Sequence, residues 1–179
     1  MVYVLLGTGF EETEAIAPID LLRRAGVEVC SVGIQGKLVY GSHRIGVEAD
    51  ITIEQMDLTK LDMLVLPGGL GGVASIEGSP LAMDAIRFAY ENEKWIGAIC
   101  AAPTILGKLG MLDGKTAVCY PGCEEDLARA EVSDQAAVRC GNIITGTSAG
   151  CAIAFALALV EVLKGKAEAQ RIAKQIVIR

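Results

Sequence analysis

Short apolar runs alternate with longer amphipathic stretches along this chain. Val2–Leu6, Val27–Ile34, Asp62–Leu66, Trp95–Ile99, Thr116–Cys119 and Asn142–Thr145 are the apolar runs, each with the length of a buried strand. Thr13–Ala25 predicts a helix stopped by Gly26, and Pro80–Glu93 a second, apolar at Leu81, Ala85, Ile86 and Ala89. Ala101–Leu109 predicts a third, with Pro103 in its first turn and Gly110 at its stop. Lys37–Val47 holds short extended pieces broken by Gly41 and Gly46, the pattern of a hairpin. Ala149–Leu163 is apolar almost all round and predicts a buried helix, while Lys166–Gln175 predicts a polar, amphipathic one on the outside. No linker or low-complexity stretch intervenes. The alternation predicts an α/β fold over residues 1–179 as one domain: a doubly wound, mainly parallel sheet sandwiched by helices. Ligands in such sheets bind at the carboxyl ends of the strands. Three candidate loops fall there: Gly7–Glu14, Pro67–Gly72, and the Cys100 corner.

Composition narrows the function classes. Apolar residues make up 52% of the chain and aromatics 4%, so the core is aliphatic and a base-stacking platform is not expected. The net charge of −6, with no basic run, points away from nucleic acid and anionic membrane. No stretch reaches the length of a membrane span, and Met1–Leu6 lacks the flank and cleavage site of a signal peptide. Six scattered cysteines, mostly in apolar runs, suggest free thiols in a reducing cytoplasm. The single histidine, His43, is a tight constraint: any Cys-His or Ser-His pair must use it.

Cys100 falls at the junction of a strand and a helix, with small residues Ala98 and Ala102 two positions to either side. A nucleophile elbow needs that arrangement, and a thiol at a helix start is favoured as thiolate. A buried structural cysteine fits the same stretch equally well. Glu11, Glu12 and Glu14 open the first helix. Glu11 and Glu12 suit a solvated face near the dipole's positive end. Glu14 precedes the apolar face of Ala15, Ile16 and Ile19, so it is expected to point inward, protonated by desolvation and donating to a Cys100 thiolate.

Other motifs carry less. Gly7-Thr8-Gly9-Phe10-Glu11-Glu12 starts like a dinucleotide fingerprint, but Glu12 replaces the last glycine and would repel a pyrophosphate. Gly146-Thr147-Ser148-Ala149-Gly150 matches a hydrolase elbow, yet no histidine follows Ser148, and a helix cap by Thr147 or Ser148 is the better account. Cys119 and Cys123 lack the further ligands of a zinc site, so neither a metal nor a cofactor is expected.

Together, Glu11-Glu12-Thr13-Glu14, Leu66-Pro67-Gly68-Gly69 and Ala98-Ile99-Cys100-Ala101-Ala102-Pro103 resemble the ThiJ/PfpI superfamily, specifically its DJ-one-like clade, from Met1 to about Leu163. The resemblance implies a flavodoxin-like sandwich, a homodimer, and glyoxalase or deglycase activity on small reactive carbonyls without a cofactor. A redox-sensing or chaperone role through oxidation of Cys100 is its second implication. It casts Cys100 as nucleophile, Glu14 as its protonated partner, and the N–H groups of Gly69 and Ala101 as the oxyanion-binding pair. Gly68, Tyr120 and His43 are implied to line the site. Tyr120 stands before Pro121 where many members carry histidine, so the family's general base is missing there. Ala101 stands where protease-like members carry histidine, which argues against a peptidase. His43 occupies a hairpin position where members often place an arginine directed at the partner subunit; an exposed hairpin histidine is the plainer reading.

Overall fold

The computed structural model describes residues 1–178. Its centre is a seven-stranded sheet of β1 (Val2–Leu6), β2 (Val29–Gly33), β5 (Ile51–Thr52), β6 (Met63–Leu66), β7 (Trp95–Ile99), β10 (Ala137–Cys140) and β11 (Ile143–Gly146). The strand order is β10-β11-β7-β6-β1-β2-β5, and every pairing is parallel except β10 with β11. The expected α/β sandwich is the fold observed.

The alternation of side chains along each strand feeds two apolar layers. Val2, Val4 and Leu6 face α1 (Glu12–Arg24) and α5 (Ala152–Lys164), joining Leu22, Phe155 and Leu159. Tyr3 and Leu5 face the opposite layer, with Ala82, Ala85, Ile86 and Ala89 of α3 (Pro80–Glu91) and Leu106 of α4 (Pro103–Lys108). Strand order reverses between β1 and β6, so a crevice opens beyond their carboxyl ends, next to the end of β7.

Several expectations need correction. The glycine-rich segment after β6 is not all loop: α2 (Leu70–Glu77) starts inside it. Its glycines serve close packing, since a Cβ on Gly72 would lie 2.7 Å from the Phe10 Cα. The 116–119 run does not join the main sheet; β8 (Thr116–Ala117) pairs only with β9 (Glu131–Val132). The 149–163 segment is a 3₁₀ turn, Ala149–Cys151, followed by α5, and it is buried on one face only; Ile153 and Ala154 are exposed. The hairpin is present as β3 (Leu38–Tyr40) and β4 (Gly46–Glu48), and α6 (Lys166–Gln175) lies outside, burying only Ala169 and Ile172. Pro18 sits inside α1, so Glu14's carbonyl receives no N–H from the next turn. No helix among the described residues is long and apolar enough to cross a membrane.

Candidate active site

Three residues separate β7 from α4, and Cys100 is the first of them. Its φ of +65° lies in the left-handed region that a non-glycine residue enters at a cost of about 1–3 kcal/mol. Two hydrogen bonds hold it there: the Cys100 N–H donates to the Gly146 carbonyl at 2.9 Å, and the Tyr120 N–H donates to the Cys100 carbonyl at 2.7 Å. Ala98 and Ala102, both fully buried, leave room for the sharp corner. The half-buried thiol receives the N–H groups of Gly69 and Ala101. Gly69 has φ +83°, and a Cβ there would lie 2.5 Å from the Gly9 carbonyl oxygen, so only glycine places that N–H at the sulfur.

Glu14 points inward as expected and is wholly buried. Its N–H donates to the Glu11 carboxylate at 2.7 Å, which caps α1, and its Oε2 accepts from the Gly68 N–H at 2.9 Å. Oε1 is buried with no hydrogen-bond partner. Gly68 is the wedge between carboxyl and thiol: a Cβ on it would lie 2.5 Å from both the Cys100 Cβ and Glu14 Oε2.

The electrostatics correct one expectation. Burial pushes the Glu14 carboxyl up to about 7, against the lowering pull of Cys100 and the Gly68 N–H. Burial first, and the Glu14 charge second, push the Cys100 thiol up to about 12; the Gly69 and Ala101 donors pull it down. The anticipated opposition of shifts is therefore absent. A helix of six residues and two N–H groups do not outweigh burial beside an ionised carboxylate. The two groups titrate as a unit, and between about 7 and about 12 they hold one proton together. In that range the thiol gives up its proton at least cost to Glu14.

Glu12 also departs from expectation. It is buried rather than solvated. Its Oε1 accepts the His43 N–H at 2.7 Å, and its Oε2 meets the His43 Nδ1 at 2.9 Å and the Ser42 hydroxyl at 3.1 Å. Burial works to raise its carboxyl, but these hydrogen bonds together hold it at about 2. The same pairing raises His43 above the ordinary histidine value. Gly41 is needed beside it, because any Cβ there would collide with the Glu12 carboxylate. The hairpin tip is thus tied to the first turn of α1 in its own chain.

A cavity of about 560 Å³ opens over Cys100, and His43, Gly69, Leu70, Tyr120 and Cys123 are among the residues around it. The sequence-derived candidates Cys100, Gly69, Ala101, Tyr120 and His43 thus line one space, with Glu14 and Gly68 beneath the thiol. Ser42 and Leu70 carry no signal in the sequence, and Glu12 and Cys123 point there to other roles. Among the described residues, Glu11, Glu12 and His43 are the one group that brings three ligand-type atoms within 4.8 Å of one another. Both carboxylates already accept N–H groups, so the trio is a helix cap and a hairpin tie rather than a metal centre. Ser148 sits at the N-cap of the turn before α5 without a side-chain capping bond, and the Thr147 hydroxyl donates instead to the Gln135 carbonyl at 2.7 Å. The expected cap by either residue is not formed.

The DJ-1/PfpI family profile matches residues 1–162. The chain is 39% identical to protein dj-1beta of Drosophila melanogaster, across 98% of this chain and 95% of that one. It is 31% identical to the Parkinson disease protein 7 homolog of Danio rerio, across 98% and 96%, and 29% identical to a deglycase of Pyrococcus abyssi, across 91% and 99%. The crystal structure of Drosophila DJ-1beta superposes with a TM-score of 0.94 at 38% identity, covering 99% of this chain and 97% of that one. The structure of oxidized Toxoplasma gondii DJ-1 superposes at 0.93 and 32% identity, covering 98% and 97%.

Proposed function

Because the chain belongs to the DJ-1/PfpI family, we propose that the cavity over Cys100 carries out cofactor-free cysteine chemistry on a small reactive carbonyl, of the glyoxalase or deglycase type. The observation that carries this reading is a half-buried thiol separated from a wholly buried carboxyl only by Gly68, with the N–H groups of Gly69 and Ala101 at the sulfur, beside an open cavity. The name of the Pyrococcus abyssi relative, a deglycase, agrees with it.

On this reading the Cys100 sulfur adds to the aldehyde carbon of a 2-oxoaldehyde as its proton passes to Glu14. The N–H groups of Gly69 and Ala101 stabilise the oxygen that gains charge, and Glu14 passes its proton to that oxygen to complete the hemithioacetal. Glu14 then takes the proton from C1 and returns one to C2, while the hydroxyl proton on the C1 oxygen is lost and the C2 oxygen gains one. C1 is oxidised and C2 reduced within one molecule, so no external oxidant or reductant enters. The result is a 2-hydroxyacyl thioester on Cys100, which water cleaves to the hydroxy acid and the free thiol. Turnover of methylglyoxal by the wild type and its loss in Cys100→Ser is the expected result. Equal turnover by both proteins would refute the reading.

A second reading has its own support. The donors that would hold an oxyanion also suit a sulfinate on Cys100, and the similar Toxoplasma gondii protein has been captured in an oxidized form. Peroxide treatment that adds two oxygens at Cys100, in a protein without turnover, would select this redox-sensing role. A homodimer is part of the proposal: Ile16 on α1 and Ile153 on α5 leave apolar side chains 44% and 37% exposed. Light scattering is expected to give twice the chain mass at micromolar concentration, and a monomer would count against it.

A further inference from the structure

Cleavage of a Cys100 thioester requires water to lose a proton near the acyl carbon. Glu14 approaches C1 from beneath the sulfur but is wholly buried, so solvent water does not reach it. Tyr120 presents a hydroxyl rather than a ring nitrogen. His43 is the chain's one histidine, and it lines the cavity that contains Cys100. Its side chain is 73% exposed, so water reaches it. It is nonetheless held in place: Nδ1 lies 2.9 Å from Glu12 Oε2, and its own N–H donates to Glu12 Oε1 at 2.7 Å. Glu12 is itself nine-tenths buried, with the Ser42 hydroxyl at 3.1 Å as a further donor. A carboxylate fixed on Nδ1 keeps the proton on that nitrogen and leaves the lone pair on Nε2.

We propose that His43, oriented by Glu12, is the general base that activates the water which cleaves the Cys100 thioester. The inference rests on the carbonyl-processing reading above. Nε2 takes a proton from water, the water oxygen bonds to C1, and the C1–S bond breaks with its electron pair going to sulfur. The proton on the imidazolium then passes to the Glu14–Cys100 pair or to solvent. Atoms balance with water as the one added reactant, and no redox partner takes part.

The neutral ring is the active form, so hydrolysis gains rate as pH rises through the His43 titration. Glu12, then Glu11, raise that titration; the Cys100 and Cys123 thiols and the Tyr120 hydroxyl are the other titratable groups around the cavity. Glu12→Gln removes the nearest negative charge and moves the acid limb of kcat to lower pH.

His43→Gln is the decisive variant, because its amide N–H still reaches Glu12 while the basic nitrogen is gone. With methylglyoxal as probe, intact-mass spectrometry during turnover is expected to show a lactoyl group accumulating on Cys100 in His43→Gln but not in the wild type. Steady-state kcat falls about 10²-fold, and incorporation of solvent deuterium at C2 in a single turnover stays at the wild-type level. His43→Gln with unchanged kcat and acid limb overturns the proposal while the Cys100 reading stands. Equal loss of acylation and of turnover marks His43 as purely structural and overturns it too. Wild-type protein without Cys100-dependent turnover overturns both readings together.

Discussion

Substituting Glu14 by Gln removes a charge and keeps approximate shape, and the titration of Cys100 reads the result. The climb of the thiol from its ordinary value of 9 to about 12 corresponds to about 4 kcal/mol against the thiolate. Burial supplies the first part of it and the ionised Glu14 the next. A like charge at this range typically shifts a group by about 1–3 pH units. Wild-type thiolate absorbance near ~240 nm, referenced to Cys100→Ser, is expected to rise in two steps. The step near 7 records the first proton leaving the pair, and its amplitude measures how often the remaining proton rests on Glu14. The step near 12 records the second. Glu14→Gln should collapse both into a single step between them, because burial and the Gly69 and Ala101 donors persist while the opposing charge is gone. Glu14→Leu, which also loses the donor, should titrate above Glu14→Gln. A single step at or above the upper wild-type step would refute the pairing of carboxyl and thiol.

Three further outcomes follow from the geometry. The Glu12 carboxyl is held at about 2 in the folded chain against 4.5 ordinarily, so it contributes stability above pH 4.5 that is lost as pH falls towards 2; that range sets a ceiling of about 3 kcal/mol, reduced by the exposure of His43 to roughly 1–2 kcal/mol, and urea melts of Glu12→Gln at pH 7 and pH 3 should show a loss at the first that shrinks at the second. Gly68→Ala puts a methyl group 2.5 Å from both reacting groups, so methylglyoxal turnover should drop at least tenfold while circular dichroism retains the fold. No histidine follows Ser148 in the chain, and a fluorophosphonate probe should leave it unlabelled; stoichiometric labelling would restore the hydrolase reading.

Much of the architecture was written in local pattern. The strand runs, the Cys100 corner between small residues, and the inward turn of Glu14 before Ala15 and Ile19 all follow from spacing along a few residues. The misreadings share a cause: a partner remote in sequence. Glu12 looks solvated until the hairpin brings Ser42 and His43 to it from 30 and 31 positions away. The Pro67–Gly72 glycines look like loop punctuation until Gly9 and Phe10 pack against them. The thiol's proton affinity follows from the burial of both groups, which the helix start legible in the sequence does not reveal. The apolar surface of α5 said nothing of which side would stay open.

Pro18 bears on how this part of the molecule moves. With no N–H at position 18, the first turn of α1 lacks one of the bonds that would bind it to the rest of the helix. Its anchors run sideways instead: Glu12 to the hairpin tip, Glu11 to the Gly68 carbonyl, and Glu14 to the Gly68 N–H. Opening of that turn therefore couples to the hairpin and to the start of α2 more than to the body of α1. Amide hydrogen exchange would partition the helix at the proline, with residues 12–17 opening alongside Ser42 and His43, and residues 19–24 exchanging only with the sheet they cover.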